Sequence, residues 1–250
     1  MDLAPTPEQQ TVQGQARRFL AAELTRERLA AFDREPAGHD AAFWREVAAL
    51  GWFGFGLPEG SGGQGASLLD VGLLLEECGR AAAPHGVFAA IAAALAVEAL
   101  ASSAHKRVWL APLAAGERHA TIAVAERDAV NDPRAFATVV SRRGKGLVLR
   151  GTKWCVPQAV TADVFLVLAR AGRASCALLC RPMRRGWRCG RSLRWGGIAR
   201  AWSPSTASRC RPAPSVDVRD RRGRAGSACA VGWRRCCARR WWEGPRRRSR

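Results

Sequence analysis

The residues that could carry chemistry fall into four groups. The first is a glycine-dense run, Gly51-Trp52-Phe53-Gly54-Phe55-Gly56-Leu57-Pro58-Glu59-Gly60-Ser61-Gly62-Gly63-Gln64-Gly65. A phosphate-binding loop would have to end in Gly-Lys-Ser/Thr, to supply a lysine for the phosphates and a hydroxyl for magnesium. Neither follows here, and a dinucleotide fingerprint lacks its preceding strand and third glycine. The run reads as a tight, turn-rich connection packed by Trp52, Phe53 and Phe55. The second group is the adjacent pair Glu76 and Glu77, carboxylates of the type used for general acid–base work. The third is nine cysteines and four histidines. The sequence has no Cys-x-x-Cys, and no histidine follows His119, so no zinc set can be assembled and no metal site is assigned. The histidines (His39, His85, His105, His119) are scattered among loops and helix ends. The fourth is a set of arginine runs beside tryptophans: Arg234-Arg235, Arg239-Arg240-Trp241-Trp242 and Arg246-Arg247-Arg248. These could hold phosphates and stack bases.

Charge separates this last group from the rest. The 250 residues carry a net +19. Residues 181–250 alone contain 21 Arg, no Lys and three acids, so they hold +18 of it, and residues 1–180 are near neutral. The protein as a whole is therefore not a basic binding domain. The tail also has no Phe, one Leu, one Ile and six of the ten Trp, and it shows neither helical nor strand periodicity. So little aliphatic surface cannot offset the entropy of ordering, and disorder is expected. Nonspecific, salt-sensitive contact with nucleic acid is the expected behaviour of such a segment. Its residues are also those of GC-rich codons, which motivates the hypothesis of out-of-frame translation beginning near residues 180–185. If a one- or two-nucleotide shift of the DNA frame there restored no family-like sequence, that hypothesis would fail.

The elements ahead of the tail are legible by period. Thr6-Pro7-Glu8-Gln9 reads as a capping box with proline at the first helical position, followed by Val12, Ala16, Phe19, Leu20 and Leu24 on one stripe. Asp40 opens a helix with Phe43, Val47 and Leu50 on one face, stopped by Gly51. Ser67 and Asp70 cap another, with Val71, Leu74, Leu75 and Cys78 facing inward and Gly79 as its stop. Ala-rich helices are predicted over about 87–101 and 103–111, the last ending near Pro112 and Gly116. The stretch from Val87 to Ala101 is short and broken by Glu98, so it reads as a buried helix and not a bilayer span. The acidic start, Met1 to Pro5, lacks a secretory pattern, and a cytoplasmic, disulfide-free protein is expected. After Gly116 the period changes to strands: Thr121 to Ala125, Phe136 to Val140, Leu147 with Leu149, and Val164 to Leu168, with a turn over Gly144 to Gly146. The expected fold class is α+β: an all-α helical domain over 1–115, a partial middle β-barrel over 116–180, and an Arg/Trp-rich tail over 181–250.

Residues 1–170 resemble the acyl-CoA dehydrogenase family of flavoproteins. The resemblance is carried by Phe43-Trp44 to Gly51 leading into Leu57-Pro58-Glu59-Gly60 and Gly62-Gly63-Gln64-Gly65. Further support comes from Leu75-Glu76-Glu77-Cys78-Gly79-Arg80, Leu113-Ala114-Ala115-Gly116-Glu117, and Gly151-Thr152-Lys153-Trp154-Cys155-Val156 running on to Ala162-Asp163 and Leu166-Val167-Leu168-Ala169-Arg170. It implies a helical domain, a middle β-barrel and a C-terminal helical bundle, with FAD between barrel and bundle. It implies an acyl-CoA substrate dehydrogenated at its α and β carbons by hydride transfer to the flavin, and assembly as a homo-oligomer or with another dehydrogenase chain. The base, a Glu in the family, comes from the bundle. No catalytic residue is assigned in this chain, and Glu76 and Glu77 are read as one solvated and one helix-face carboxylate. The chain is expected to be incomplete and inactive alone, the alternative being a non-catalytic remnant or partner subunit.

The same resemblance implies two stretches that line the flavin. One is Val124, Ala125 and Glu126 at the end of the first strand, with Asn131 and Asp132 as the nearest stand-ins for the family's loop contacts. The other is Cys155, Val156, Pro157 and Gln158. Ala125 stands where the family commonly has a hydroxyl, and Pro157 where it has a threonine. Proline has no N–H and no side-chain donor, so flavin is expected to be held mainly by backbone groups. Cys155 has no histidine near it in sequence and is not assigned as a nucleophile.

Overall fold

The computed structural model describes residues 4–34, 40–126, 135–143, 146–172 and 174–181, together with the backbone of 198–199 and 208–210. Six helices come first: α1 (Pro7–Glu23), α2 (Arg26–Arg34), α3 (Ala41–Ala49), α4 (Leu68–Arg80), α5 (His85–Leu100) and α6 (Ser103–Ala114). The capping boxes stand as the sequence predicts. Thr6 accepts from the Gln9 amide while Gln9 accepts from the Thr6 amide, and Ser67 and Asp70 do the same for α4. Gln9 also donates to Asp70 at 2.7 Å, which joins the two helix starts. About two turns further along, Arg17 grips Glu77 with two hydrogen bonds of 2.9 and 2.8 Å, so α1 and α4 lie side by side and run the same way.

Three helix boundaries differ from expectation. Helix α2 was not foreseen, because its sequence RERLAAFDR is mostly charged. Its place is set by Arg28, which pairs with Glu23, Asp40 and Glu46, and by Phe32 edge-on to Phe43. Gly79 does not stop α4, which runs on to Arg80 and ends at Ala82 in the left-handed region (φ 53°), with the Ala83 amide bonded to the Cys78 carbonyl. Pro112 lies inside α6 and not beyond it. Leu50, predicted to face inward, is exposed. The glycine run behaves as a packed connection. Trp52 and Phe53 are buried, and the amides of Leu57, Gln64, Gly65 and Ala66 all bond to carbonyls within the run, so these N–H groups are not offered to a phosphate.

The strands are β1 (Ala120–Ala123), β2 (Val139–Arg143), β3 (Gly146–Arg150), β4 (Val156–Pro157), β5 (Val164–Ala171), β6 (Ala174–Cys180), β7 (Ile198–Ala199) and β8 (Ser208–Cys210). Strand β5 is the centre of a mixed sheet. It pairs parallel with β1 (Ala120 opposite Val164), antiparallel with β6 (Phe165 opposite Cys180), and meets β2 at Val139–Arg170. Strands β2 and β3 pair antiparallel, and β8 pairs along β3. Strand β4 pairs with β7. The fold class is therefore as predicted, a helical domain followed by a strand-containing domain. Two short pieces of the arginine-rich tail, 198–199 and 208–210, lie in ladders, where the sequence showed no strand pattern. The remainder of 182–250 is outside the described residues, so its expected disorder is not addressed.

Helix α5 is apolar all round because it belongs to two cores. Val87, Ala90 and Ile91 pack with α1, α3 and α4, whereas Ala93, Ala94 and Val97 pack with Trp109, Leu110, Ala120, Val164, Leu166 and Leu179. A third core lies within the strand domain, among Val140, Leu149, Val156, Phe165, Val167, Cys176 and Leu178. No described helix is long and apolar enough to cross a membrane.

Glu77 is a buried carboxylate, 1% exposed, while its partners Arg17 and Arg80 remain more than half exposed. The Arg17 hydrogen bond outweighs burial and holds the Glu77 carboxyl below its ordinary 4.5. A carboxylate with a depressed pKa contributes stability that is complete above the ordinary value and is lost as pH falls through the folded one. Glu77→Gln should therefore cost about 1 kcal/mol at neutral pH, the size of a charge-assisted hydrogen bond discounted for exposed partners. The gap from wild type should close between about pH 5 and pH 3 in urea unfolding. Arg17→Met should cost more than Glu77→Gln, because it leaves the buried Glu77 charge to the half-exposed Arg80, 3.3 Å away.

Candidate functional site

The two stretches expected to line a cofactor meet in space. Past the end of β1, the Ala125 carbonyl accepts from the Trp154 amide at 2.8 Å. Within β1, the buried Thr121 hydroxyl donates to the Pro157 carbonyl at 2.7 Å. These bonds set Val124 and Ala125 beside Cys155 at one end of the sheet. Cys155 and Gln158 both take left-handed backbone angles (φ 50° and 46°) and bracket the two-residue strand β4. Such angles are uncommon for residues with a Cβ, and here they turn the chain sharply on either side of Val156 and Pro157.

The side chains divide by direction. Val124, Ala125 and Cys155 are exposed, and so is Val160 in the following turn. Val156 is buried in the strand-domain core, and Pro157 is half-buried. Gln158 is buried against helix α5: a Cβ added at Gly86 would lie 2.0 Å from its side-chain carbon. Glu126 also turns inward. Its carboxylate accepts from the amides of Ala137 (2.6 Å) and Thr138 (3.0 Å) and from Lys153 Nζ (2.8 Å). Burial pushes this carboxyl up, but the hydrogen bonds from Lys153, Thr138 and Ala137 outweigh it and leave it below its ordinary value. A carboxylate so held is a weak base and is not free to touch a ligand. Asn131 and Asp132 lie outside the described residues.

Lys153 is the residue that sequence reasoning missed. It is fully buried, and its ammonium also donates to the Val124 carbonyl at 2.9 Å and sits 4.0 Å from the centre of the Phe136 ring. Its only sequence signal is a lysine next to Trp-Cys-Val in an apolar stretch. Its partner lies 27 residues away, which no local pattern reveals.

The other candidate groups have structural roles. Glu76 is exposed and pairs with Arg80. His119 stacks on Trp44 at 4.0 Å, and His105 Nδ1 is 2.8 Å from the Ser102 hydroxyl. Cys78 and Cys155 are free thiols, and burial pushes Cys78 up to about 12. Among the described residues no group of three or more His, Cys, Asp or Glu could hold a metal ion.

A helical unit joined to a mixed sheet through α5 and α6, with two chain segments laid side by side at one end of the sheet, defines a chain of two domains. Family models agree on both halves. Residues 6–117 match the N-terminal domain of acyl-CoA dehydrogenase, and residues 121–201 match its middle domain. The chain belongs to the acyl-CoA dehydrogenase family. The middle-domain match reaches 201, about twenty residues past the point where the likeness was expected to end. Benzylmalonyl-CoA dehydrogenase of Aromatoleum aromaticum is 32% identical over 181 residues, covering 69% of this chain and 46% of its own length. The Tcur3481-Tcur3483 steroid ACAD superposes with a TM-score of 0.67 at 31% identity, over 79% of this chain and 57% of that one. A glutaryl-CoA dehydrogenase of Mycobacterium smegmatis, solved with FADH2, shares the fold (TM-score 0.71, 20% identity, 82% of this chain and 54% of that one). The chain spans about half the length of the curated relatives it matches.

The Gly86–Gln158 contact is the point where the helical domain touches the candidate site. Gly86→Ala should cost about 1–2 kcal/mol by overpacking. The double variant Gly86→Ala/Gln158→Ala should recover most of that cost in urea unfolding, because the truncated side chain vacates the space.

Proposed function

We propose that this chain supplies the helical and middle domains of an acyl-CoA dehydrogenase-type flavoprotein, and that Val124, Ala125, Cys155 and Pro157 form one wall of its FAD site. Domain limits of 1–115 and 116–180 describe these two units, with the strand domain drawing in the short pieces at 198–199 and 208–210. The observation that carries the reading is the meeting of two stretches about thirty residues apart, both inside the span that matches the family's middle domain.

The wall suits a flat, largely apolar ring. Its exposed groups are aliphatic apart from the Cys155 thiol, while the polar side chains nearby are withdrawn: Glu126 into its ion pair and Gln158 against α5. Polar contact would therefore come from main-chain groups and that thiol. FAD, when bound, supplies a two-electron acceptor for the hydride of an acyl-CoA thioester. The chain's own residues bind and orient: Val124 and Ala125 offer an apolar face, Lys153 and Trp154 fix their carbonyls, and the α5 docking holds β4 against β1. No catalytic proton transfer is assigned to a described residue, since Glu126 and Glu77 are both held ionised by their partners. One wall cannot exclude water by itself, so the reading requires a second surface, from further chain, another copy or another dehydrogenase chain.

Titrating the full chain with FAD should quench flavin fluorescence saturably. Val124→Glu should weaken binding at least about tenfold without lowering the melting temperature, because Val124 is already 40% exposed and a charge opposite an apolar ring costs more than 1.4 kcal/mol. Absence of saturable quenching by the wild-type chain, or an unchanged affinity in the variant, would overturn the reading.

A further inference from the structure

Three chain segments converge behind the wall: the end of β1 (124–126), the return into β2 (136–138) and the approach to β4 (151–154). One ammonium reaches all three. Lys153 has three N–H donors. Two bond to the Val124 carbonyl and to Glu126 Oε1, and its charge lies 4.0 Å from the centre of the Phe136 ring. Glu126 in turn accepts from the Ala137 and Thr138 amides. The consecutive carbonyls of Val124 and Ala125 are thus held by the consecutive residues Lys153 and Trp154. Close approach of the backbones confirms the convergence: a Cβ at Gly151 would lie 2.5 Å from Thr138 Cα.

We propose that Lys153 is a positioning residue of the flavin wall, a buried clasp that with Glu126 fixes the placing of Val124 and Ala125 against Cys155 and does not touch the ligand itself. This rests on the flavin reading for its functional consequence but not for its geometry. Stability alone does not explain such a pair. A buried ion pair exchanged for apolar or neutral groups of like volume is often neutral or stabilising, whereas removal of one partner strands a charge. A clasp that orders three segments has a different signature, in which local order and ligand fit fall while global stability is kept.

The test compares wild type with Lys153→Met and with the charge-neutral double variant Lys153→Met/Glu126→Gln. The single variant strands the Glu126 carboxylate and is expected to melt lower. The double variant keeps an amide oxygen for the Ala137 and Thr138 N–H groups and is expected to melt near wild type. Hydrogen exchange gives the readout that is independent of flavin. In the double variant the amides of Ala137, Thr138 and Trp154 should exchange at least about tenfold faster, with those of α1 and α4 unchanged. FAD affinity should fall at least about tenfold in the same protein. Unchanged exchange at those three amides, or unchanged FAD affinity in the folded double variant, overturns the proposal. A wild-type chain that binds no FAD removes the flavin reading, and the clasp is then judged by exchange alone.

Discussion

The structure depends on one helix made thin enough to serve two cores. Helix α5 places Val87, Ala90 and Ile91 in the helical core and Ala93, Ala94 and Val97 in the core shared with β1, β5 and β6. Alanine at these positions lets the backbone come close to its neighbours on both sides. Burial of so much apolar surface around a single element stabilises the helix and fixes the domain interface in the same step. Gly86 at its first turn extends this closeness to the site, because only a residue without a Cβ leaves room for the Gln158 side chain. The position of β4 is therefore tied to the helical domain, and with it the wall that β4 and the end of β1 present.

Much of the helical domain can be read from sequence because its signals are local. Capping boxes at Thr6 and Ser67 and apolar stripes with a 3.6-residue period are properties of neighbouring residues. The misread boundaries have physical reasons that are not local. Helix α2 is ordered by Arg28 reaching three carboxylates on either side of it, two of them beyond Arg34. Gly79 reads as a helix stop because glycine usually takes the left-handed terminal position. That position falls instead to Ala82, while Arg80 stays helical and reaches Glu77 at 3.3 Å. Pro112 removes one backbone donor in the last turn of α6, where the preceding turn is exposed at Val108, so the loss is tolerated.

The candidate site was half legible. The family resemblance implies that 124–126 and 155–158 share one site, and the sheet joins them through Trp154 and Thr121. The direction of each side chain was not legible. Glu126 and Gln158 carry polar groups of the kind a ligand would use, yet each is drawn into the protein by a partner distant in sequence: Lys153 for one and the first turn of α5 for the other. Conversely, Lys153 reads as an ordinary strand lysine until the topology brings Glu126 and Phe136 to it. Residue type predicts what a side chain can do, whereas only pairing across the sheet decides where it points.

These withdrawals shape what the wall can recognise. A site that loses a carboxylate and an amide to internal contacts selects by shape and by main-chain geometry more than by side-chain hydrogen bonds. Shape selection of that kind needs rigid placement, because an apolar contact is forfeited over a fraction of an ångström. The left-handed turns at Cys155 and Gln158 and the buried clasp at Lys153 supply that rigidity at the two ends of β4. Burial pushes the Lys153 ammonium below its ordinary pKa, against the pull of Glu126, so the pair carries a desolvation cost that packing alone would not require. The cost becomes intelligible if the wall, and not the fold, is what the clasp keeps in place.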